Sequence, residues 1–109
     1  MIRRTFAMRL KPGALTEYKR RHDEIWPELV EEIKRCGIKS MTTVVDGSLL
    51  VLFSEIETVD AWDKLWHSDV HMRWGEVMEP LMAFGDDGIV ESRTLDEVFH
   101  LETRSSRRL

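Results

Sequence analysis

The stretch YKRRHDEIWPEL, residues 18–29, combines a helical pattern with an internal proline. Apolar side chains recur around it at intervals of three and four, which is typical of one face of an α-helix. These side chains are Leu15, Tyr18, Ile25, Trp26, Leu29 and Ile33. His22 lies on the same face, one turn from Tyr18 and one turn from Trp26. The pattern predicts an imidazole directed inward between two aromatic rings, either as a core residue or as part of a pocket for proton chemistry.

The proline predicts that this helix is interrupted. The helical pattern extends from about Ala14 to Cys36. Because proline lacks an N–H and clashes with the preceding turn, we expect a kink or short break near residues 24–26. Gly37 is a suitable C-terminal stop.

The flanking segments predict strands and a second helical region. Residues 2–10 alternate between apolar and polar side chains, residues 38–45 are rich in β-branched residues, and residues 49–56 form an apolar run. Each is typical of a strand, and Asp46-Gly47 predicts a two-residue hairpin turn between the last two. Thr58 is expected to cap a helix with a buried stripe, and Ser68-Asp69 to cap another that Pro80 ends. The predicted stripe consists of Val59, Trp62, Leu65 and Trp66. A last strand is predicted from Leu95 to Leu101.

The resulting order is β-α-β-β-α-β, which predicts an α+β, ferredoxin-like fold with an antiparallel sheet and helices on one face. Residues 1–101 should form one domain, and the tail, residues 102–109, is expected to be disordered because it has few apolar residues. The second face of the sheet has no covering layer in so short a chain. We therefore expect a homodimer of the α/β-barrel type.

Composition narrows the classes of partner. The net charge of −4 argues against nucleic-acid binding, and no apolar run is long enough to span a membrane. A single cysteine, Cys36, precludes an internal disulfide and fits a buried filler in a reducing compartment. Since the N-terminal residues lack the apolar run of a signal peptide, a cytoplasmic location is expected. No phosphate-binding loop, dinucleotide fingerprint or nucleophile elbow occurs.

The other histidines give weaker signals. His67 and His71 have the four-residue spacing of metal ligands on a helix, but the Ser68-Asp69 cap separates them, so we expect a solvated surface pair and no metal site. His100 is expected to be a solvated residue at a sheet edge. The tryptophans at positions 26, 62, 66 and 74 are consistent with a core or with a platform for the C–H groups of a sugar.

From Met1 to about Leu101 the chain resembles the L-rhamnose mutarotase family. The resemblance is carried by Met1-Ile2-Arg3-Arg4, Glu17-Tyr18-Lys19-Arg20-Arg21-His22, Ile25-Trp26-Pro27-Glu28-Leu29, Ser68-Asp69-Val70 with Arg73-Trp74, and Glu97-Val98-Phe99. It implies a dimeric ferredoxin-like enzyme that interconverts the α and β anomers of a free sugar without a cofactor. It also implies that His22 is the catalytic acid and that Tyr18 and Trp74 contact the sugar.

Two positions depart from the family pattern. Met41 stands where the family usually has a tyrosine, and Gly75 where it usually has a second tryptophan. The resemblance thus implies a roomier pocket and a monosaccharide substrate that is either L-rhamnose or a related 6-deoxyhexose. Two alternatives stay open: a non-catalytic sugar or metabolite sensor, and a small monooxygenase or haem-degrading enzyme of the dimeric ferredoxin-like class.

Overall fold

A computed structural model of the protein describes residues 1–85 and 92–103. The strands are β1 (Ile2–Arg9), β2 (Ile38–Asp46), β3 (Leu49–Ile56) and β4 (Ser92–Leu95). The helices are α1 (Leu15–Asp23), α2 (Pro27–Arg35), α3 (Ala61–Trp66) and α4 (Asp69–Met78), and a short 3₁₀ helix spans Glu79–Leu81. Within the described ranges, no helix is long and apolar enough to cross a membrane.

The four strands form one antiparallel sheet in the order β2-β3-β1-β4. This order confirms the predicted ferredoxin-like α+β fold, with β1 and β3 at the centre. The register places Phe6 opposite Leu52 and Met8 opposite Leu50, so the even-numbered residues of both strands face the helices. The sequence pattern of β1 and β3 therefore determines which face of the sheet is covered.

The predicted interruption of the first helical region is confirmed. α1 ends at Asp23, and α2 begins at Pro27, whose missing N–H is harmless at the first helical position. Trp26 between them has an extended backbone with φ −64° and ψ 131°. The two short helices can thus follow different directions over the sheet.

Three predictions about local structure were wrong. The first concerns the residue at which α3 begins. This helix begins at Ala61 with Asp60 at the N-cap, and the Thr58 hydroxyl donates to Asp60 Oδ1 at 2.7 Å instead of capping the helix. Val59 precedes the helix and is 72% exposed, and Trp66 is also partly exposed, so only Trp62 and Leu65 of the predicted stripe are buried.

The second error concerns the last strand, which covers Ser92–Leu95 and not Leu95–Leu101. β4 pairs with β1 only as far as Leu95 opposite Thr5. The apolar residues Val98 and Phe99 misled the prediction, because they are 94% and 78% exposed and therefore lie outside the core formed by the described residues. The predicted tail falls largely on residues 104–109, which lie outside the described residues.

The third error is a shift of one residue in the hairpin. Asp46 pairs with Leu49 as part of the sheet, and the two turn residues are therefore Gly47 and Ser48 rather than Asp46 and Gly47. Gly47 has a φ of +64°, which explains the glycine at the first turn position.

The core lies between the sheet and the helices. Leu29, Leu50, Ile56 and Leu65 are its most deeply buried large side chains. One polar link crosses this layer: the Trp62 indole N–H donates to Ser54 Oγ at 2.9 Å, and the Ser54 hydroxyl donates to the Arg4 carbonyl at 2.9 Å. Ser54 thereby joins α3 to both central strands while satisfying a buried indole.

We expect Ser54→Ala to destabilise the fold by about 1–3 kcal/mol, because the buried Trp62 N–H loses its acceptor. Ser40→Ala is the matched control, since Ser40 is an exposed residue of the edge strand β2 and should change stability by at most about 0.5 kcal/mol. Urea unfolding followed by tryptophan fluorescence measures both. Equal losses for the two variants would show that the Ser54 link contributes nothing specific.

Candidate active site

A cavity of about 640 Å³ lies between the helix-facing side of the sheet and the helices. Its floor includes Phe6, Met8 and Leu52, and its walls come from all four α-helices. Most of its lining is aromatic or aliphatic. The polar side chains in this lining are few: Tyr18, His22, His71, Glu79 and Ser92. An apolar cavity with a few convergent polar groups is the usual form of a small-molecule site.

His22 is held in a defined orientation at this cavity. Its Nδ1 lies 3.0 Å from the carbonyl oxygen of Tyr18, one turn earlier on α1. Because a carbonyl oxygen only accepts, Nδ1 carries the hydrogen and donates it. In the neutral ring, Nε2 then holds the lone pair. The backbone of α1 thus selects the tautomer whose Nε2 is a base.

Aromatic contacts fix the plane of the His22 ring. It stacks on Tyr18 with ring centroids 4.2 Å apart and an interplanar angle of 27°. Trp74 from α4 meets it edge-on at 5.4 Å and 87°. Burial lowers the pKa of His22, against smaller opposing effects of the Tyr18 carbonyl and the Asp23 charge. The imidazole is therefore mainly neutral near pH 7 and suited to accept a proton.

Tyr18 provides a phenol that remains protonated. Burial raises its pKa to about 12, and the hydrogen bond with the Thr43 hydroxyl acts in the opposite direction. A neutral phenol both donates and accepts hydrogen bonds. Tyr18 can thus bind a hydroxyl group of a ligand while its ring supports His22.

Trp74 belongs to an aromatic wall that links α2 with α4. Its ring packs edge-on against Trp26, with centroids 5.2 Å apart and an angle of 85°. The Arg73 guanidinium lies 5.9 Å from the centre of the Trp26 ring and 3.7 Å from a carboxylate oxygen of Glu28. Contacts outside the cavity lining therefore support this wall.

Arg21 ties α1 to the far end of α4. Its Nη1 donates to the Val77 carbonyl at 2.5 Å, and its Nε donates to Glu17 at 2.6 Å. The guanidinium groups of Arg20 and Arg21 lower the pKa of Glu17 to about 2. Because α1 carries His22 and α4 carries Trp74, this link keeps the two side chains at a set separation.

The structure brings His22, Tyr18 and Trp74 together as lining residues of one cavity, and Met41 and Gly75 line it too. His100 does not line it; its Nε2 lies 3.4 Å from Glu102 at a separate surface. Among residues 1–85 and 92–103, no three His, Cys, Asp or Glu side chains lie together as a metal site would require.

The prediction that His67 and His71 form a solvated pair was wrong for His71. His67 is exposed, but His71 is half-buried and lines the cavity. The signal was present in the spacing, since His71 precedes Trp74 by three residues and Gly75 by four, so all three share a helix face. The helical break at Ser68 separates it from His67.

Comparison with known proteins identifies the class and the family. The ferredoxin-like α+β fold of this chain is similar to the crystal structure of L-rhamnose mutarotase FA22100 from Formosa agariphila, with a TM-score of 0.80 and 29% identity over 94% of this chain and 100% of that one. The L-rhamnose mutarotase of Oceanobacillus iheyensis is 36% identical over 94% of this chain and 100% of its own length.

A family model described as L-rhamnose mutarotase matches residues 3–101. The chain therefore belongs to the L-rhamnose mutarotase family and is an isomerase that acts at an anomeric centre. A dimeric ferredoxin-like protein from an uncultured marine organism shares the fold alone, with a TM-score of 0.57 and 13% identity over 93% of this chain and 95% of that one.

We expect the pKa of His22 in the folded protein to lie below its value in the chain unfolded in urea. Since the folded state then binds fewer protons between these two values, stability should fall as the pH decreases through about 6.5. NMR titration of ¹⁵N-labelled histidine measures the pKa and also the tautomer, which should carry hydrogen on Nδ1. His22→Gln assigns the signal. A folded pKa above the unfolded one would contradict the burial argument.

Proposed function

We propose that this protein interconverts the α and β anomers of free L-rhamnose or a related 6-deoxyhexose, with His22 carrying a proton during ring opening. The observation that supports it most is the His22 ring at the cavity, with Nδ1 bound to the Tyr18 carbonyl and Nε2 left as a base. Relatives of similar length bear the name L-rhamnose mutarotase. The predicted cytoplasmic location stays a prediction.

The reaction needs two proton transfers and no net change in bonding. The anomeric hydroxyl loses a proton, the ring oxygen gains one, and the C1–O5 bond breaks to give the open-chain aldehyde. Rotation about C1–C2 presents the other face of the carbonyl, and the reverse transfers close the ring. A neutral imidazole takes the hydroxyl proton through Nε2 and returns it on closure, and an imidazolium supplies a proton to the ring oxygen.

The remaining lining suits the rest of the sugar. Trp74, Phe6 and Leu52 present apolar surface to C–H groups and to the methyl group of a 6-deoxy sugar. Tyr18 supplies a hydrogen-bonding group next to His22. A sugar with a hydroxyl at C6 would leave that polar group without a partner in an apolar cavity, which costs binding free energy.

Saturation-transfer NMR of the anomeric protons measures the exchange directly. We expect faster anomer exchange for L-rhamnose than for L-mannose, which differs from it only by a hydroxyl at C6. His22→Gln should slow the catalysed exchange by about 10²–10⁴-fold. His67→Gln is the matched control, because that imidazole is exposed and lies outside the cavity lining.

The outcomes separate the alternatives. Unchanged exchange in His22→Gln would reject the role of His22. Sugar binding without catalysed exchange by the native protein would favour a sensor. A Soret band after addition of haem would favour the monooxygenase or haem-degrading alternative.

We also propose a homodimer formed through the face of the sheet that the helices leave open. Val44 and Phe53 lie on this face and are each 47% exposed. Val51 lies beside both of them on the same face, because it pairs with Val44 and precedes Phe53 by two residues along β3. A second copy covering this face would remove an apolar surface from water.

Phe53→Asp should convert the dimer to a monomer, because it would place a charge without a partner in the centre of the interface. Val59→Asp is the control, since Val59 is exposed near α3 and does not belong to the sheet. Analytical ultracentrifugation at several concentrations measures the mass. A native protein that sediments as a monomer would reject the dimer.

A further inference from the structure

His71 is a second imidazole at the same cavity as His22. It lies in the first turn of α4, where its backbone N–H donates to the Ser68 hydroxyl at 3.3 Å and completes the helix cap. The cap fixes the direction in which the side chain leaves the helix. His71, Trp74 and Gly75 then follow one another on the face that lines the cavity.

The His71 ring is half-buried, yet it is not engaged by the protein. In the described part of the chain its side chain has no hydrogen-bond or ion-pair partner. No fully buried side-chain nitrogen or oxygen there lacks a partner either, so the His71 ring nitrogens are accessible to solvent. The ring nitrogens are therefore available to a ligand in the cavity.

Few titratable or charged side chains share the cavity with His71. The other titratable or charged side chains that line the cavity are Tyr18 and His22 on α1 and Glu79 on the 3₁₀ helix, and the sheet contributes none among its described lining residues. Burial lowers the pKa of His71. Because two positive imidazolium rings in one apolar cavity repel each other, states with one shared proton are favoured over the doubly charged state.

Ring opening requires a base at one oxygen and an acid at the neighbouring oxygen, and His22 alone can be only one of these at a time. We propose that His71 is the second proton carrier, so that His22 and His71 act from α1 and α4 on the two oxygens of the anomeric centre. This inference rests on the proposed mutarotation. It adds a residue for the role that His22 leaves open.

The proton balance closes without a further reactant. The neutral ring accepts the proton of the anomeric hydroxyl, the protonated ring gives its proton to the ring oxygen, and C1–O5 cleavage yields the aldehyde. Ring closure on the other face returns both protons. The link from Arg21 to the Val77 carbonyl holds α1 against α4, and these are the two helices that carry the imidazoles.

The test is the pH dependence of anomer exchange for L-rhamnose in the native protein and in His71→Gln. The native rate should follow a bell-shaped curve, because activity requires one proton on the pair. His71→Gln should lower the maximal rate by about 10²-fold or more, leave KM nearly unchanged, and lose one limb of the curve. Added imidazole should restore part of the rate in His71→Ala, which a purely structural role would not permit.

Met72→Gln is the matched control on the same helix, since Met72 is exposed and outside the cavity lining, and it should keep the native profile. His71→Asn, checked by circular dichroism, replaces His71→Gln if the latter fails to fold. Native rate and a bell-shaped profile in the His71 variants, together with loss of exchange in His22→Gln, would overturn this inference alone. A native protein that exchanges no aldose would overturn the proposed function and this inference with it.

Discussion

The missing N–H of Pro27 is the constraint on which the site depends. A continuous helix through residues 15–35 would require that donor and would bring the proline ring against the preceding turn. The chain instead ends α1 at Asp23 and starts α2 at Pro27. His22 therefore lies in the last turn of a short helix, and Trp26 leaves the helical path to meet Trp74. One residue without a donor thereby places His22 and Trp26 on separate segments, and Trp74 of α4 contacts both of them.

Local patterns predicted much of this arrangement. The alternation in β1, the break before Pro27 and the cap at Ser68 each depend on neighbouring residues, and the structure has all three. The contact of His22 with Tyr18 followed from their spacing. The predicted second neighbour, Trp26, was wrong: that ring is Trp74 of α4, because Trp26 leaves the helical path. The hydrogen bond of His22 to the Tyr18 carbonyl could not be read from the sequence, because it depends on the rotamer that burial selects.

The wrong predictions fall where contacts between residues distant in sequence, or competing side-chain hydrogen bonds, determine the local structure. Thr58 has the chemistry of a cap, but its hydroxyl binds Asp60, and the helix starts one residue after that carboxylate. Val98 and Phe99 have strand propensity, yet β4 ends where its pairing with β1 ends. His71 was assigned to the surface together with His67, because the elements that enclose it in the cavity are distant in sequence. The identity of the sugar is also beyond local patterns, since it depends on the shape of a cavity lined by many elements.

Gly75 lines the cavity and leaves open space at the point where another residue would have a side chain. A Cβ built there meets no atom within 4 Å, although glycine within a helix costs about 1 kcal/mol relative to alanine. An alanine methyl group could therefore be accepted at this point of α4 without a clash. Because Gly75 lines the cavity, a side chain at this one position would reduce the cavity volume, so the size of ligand that this scaffold admits can be altered by a single substitution on α4.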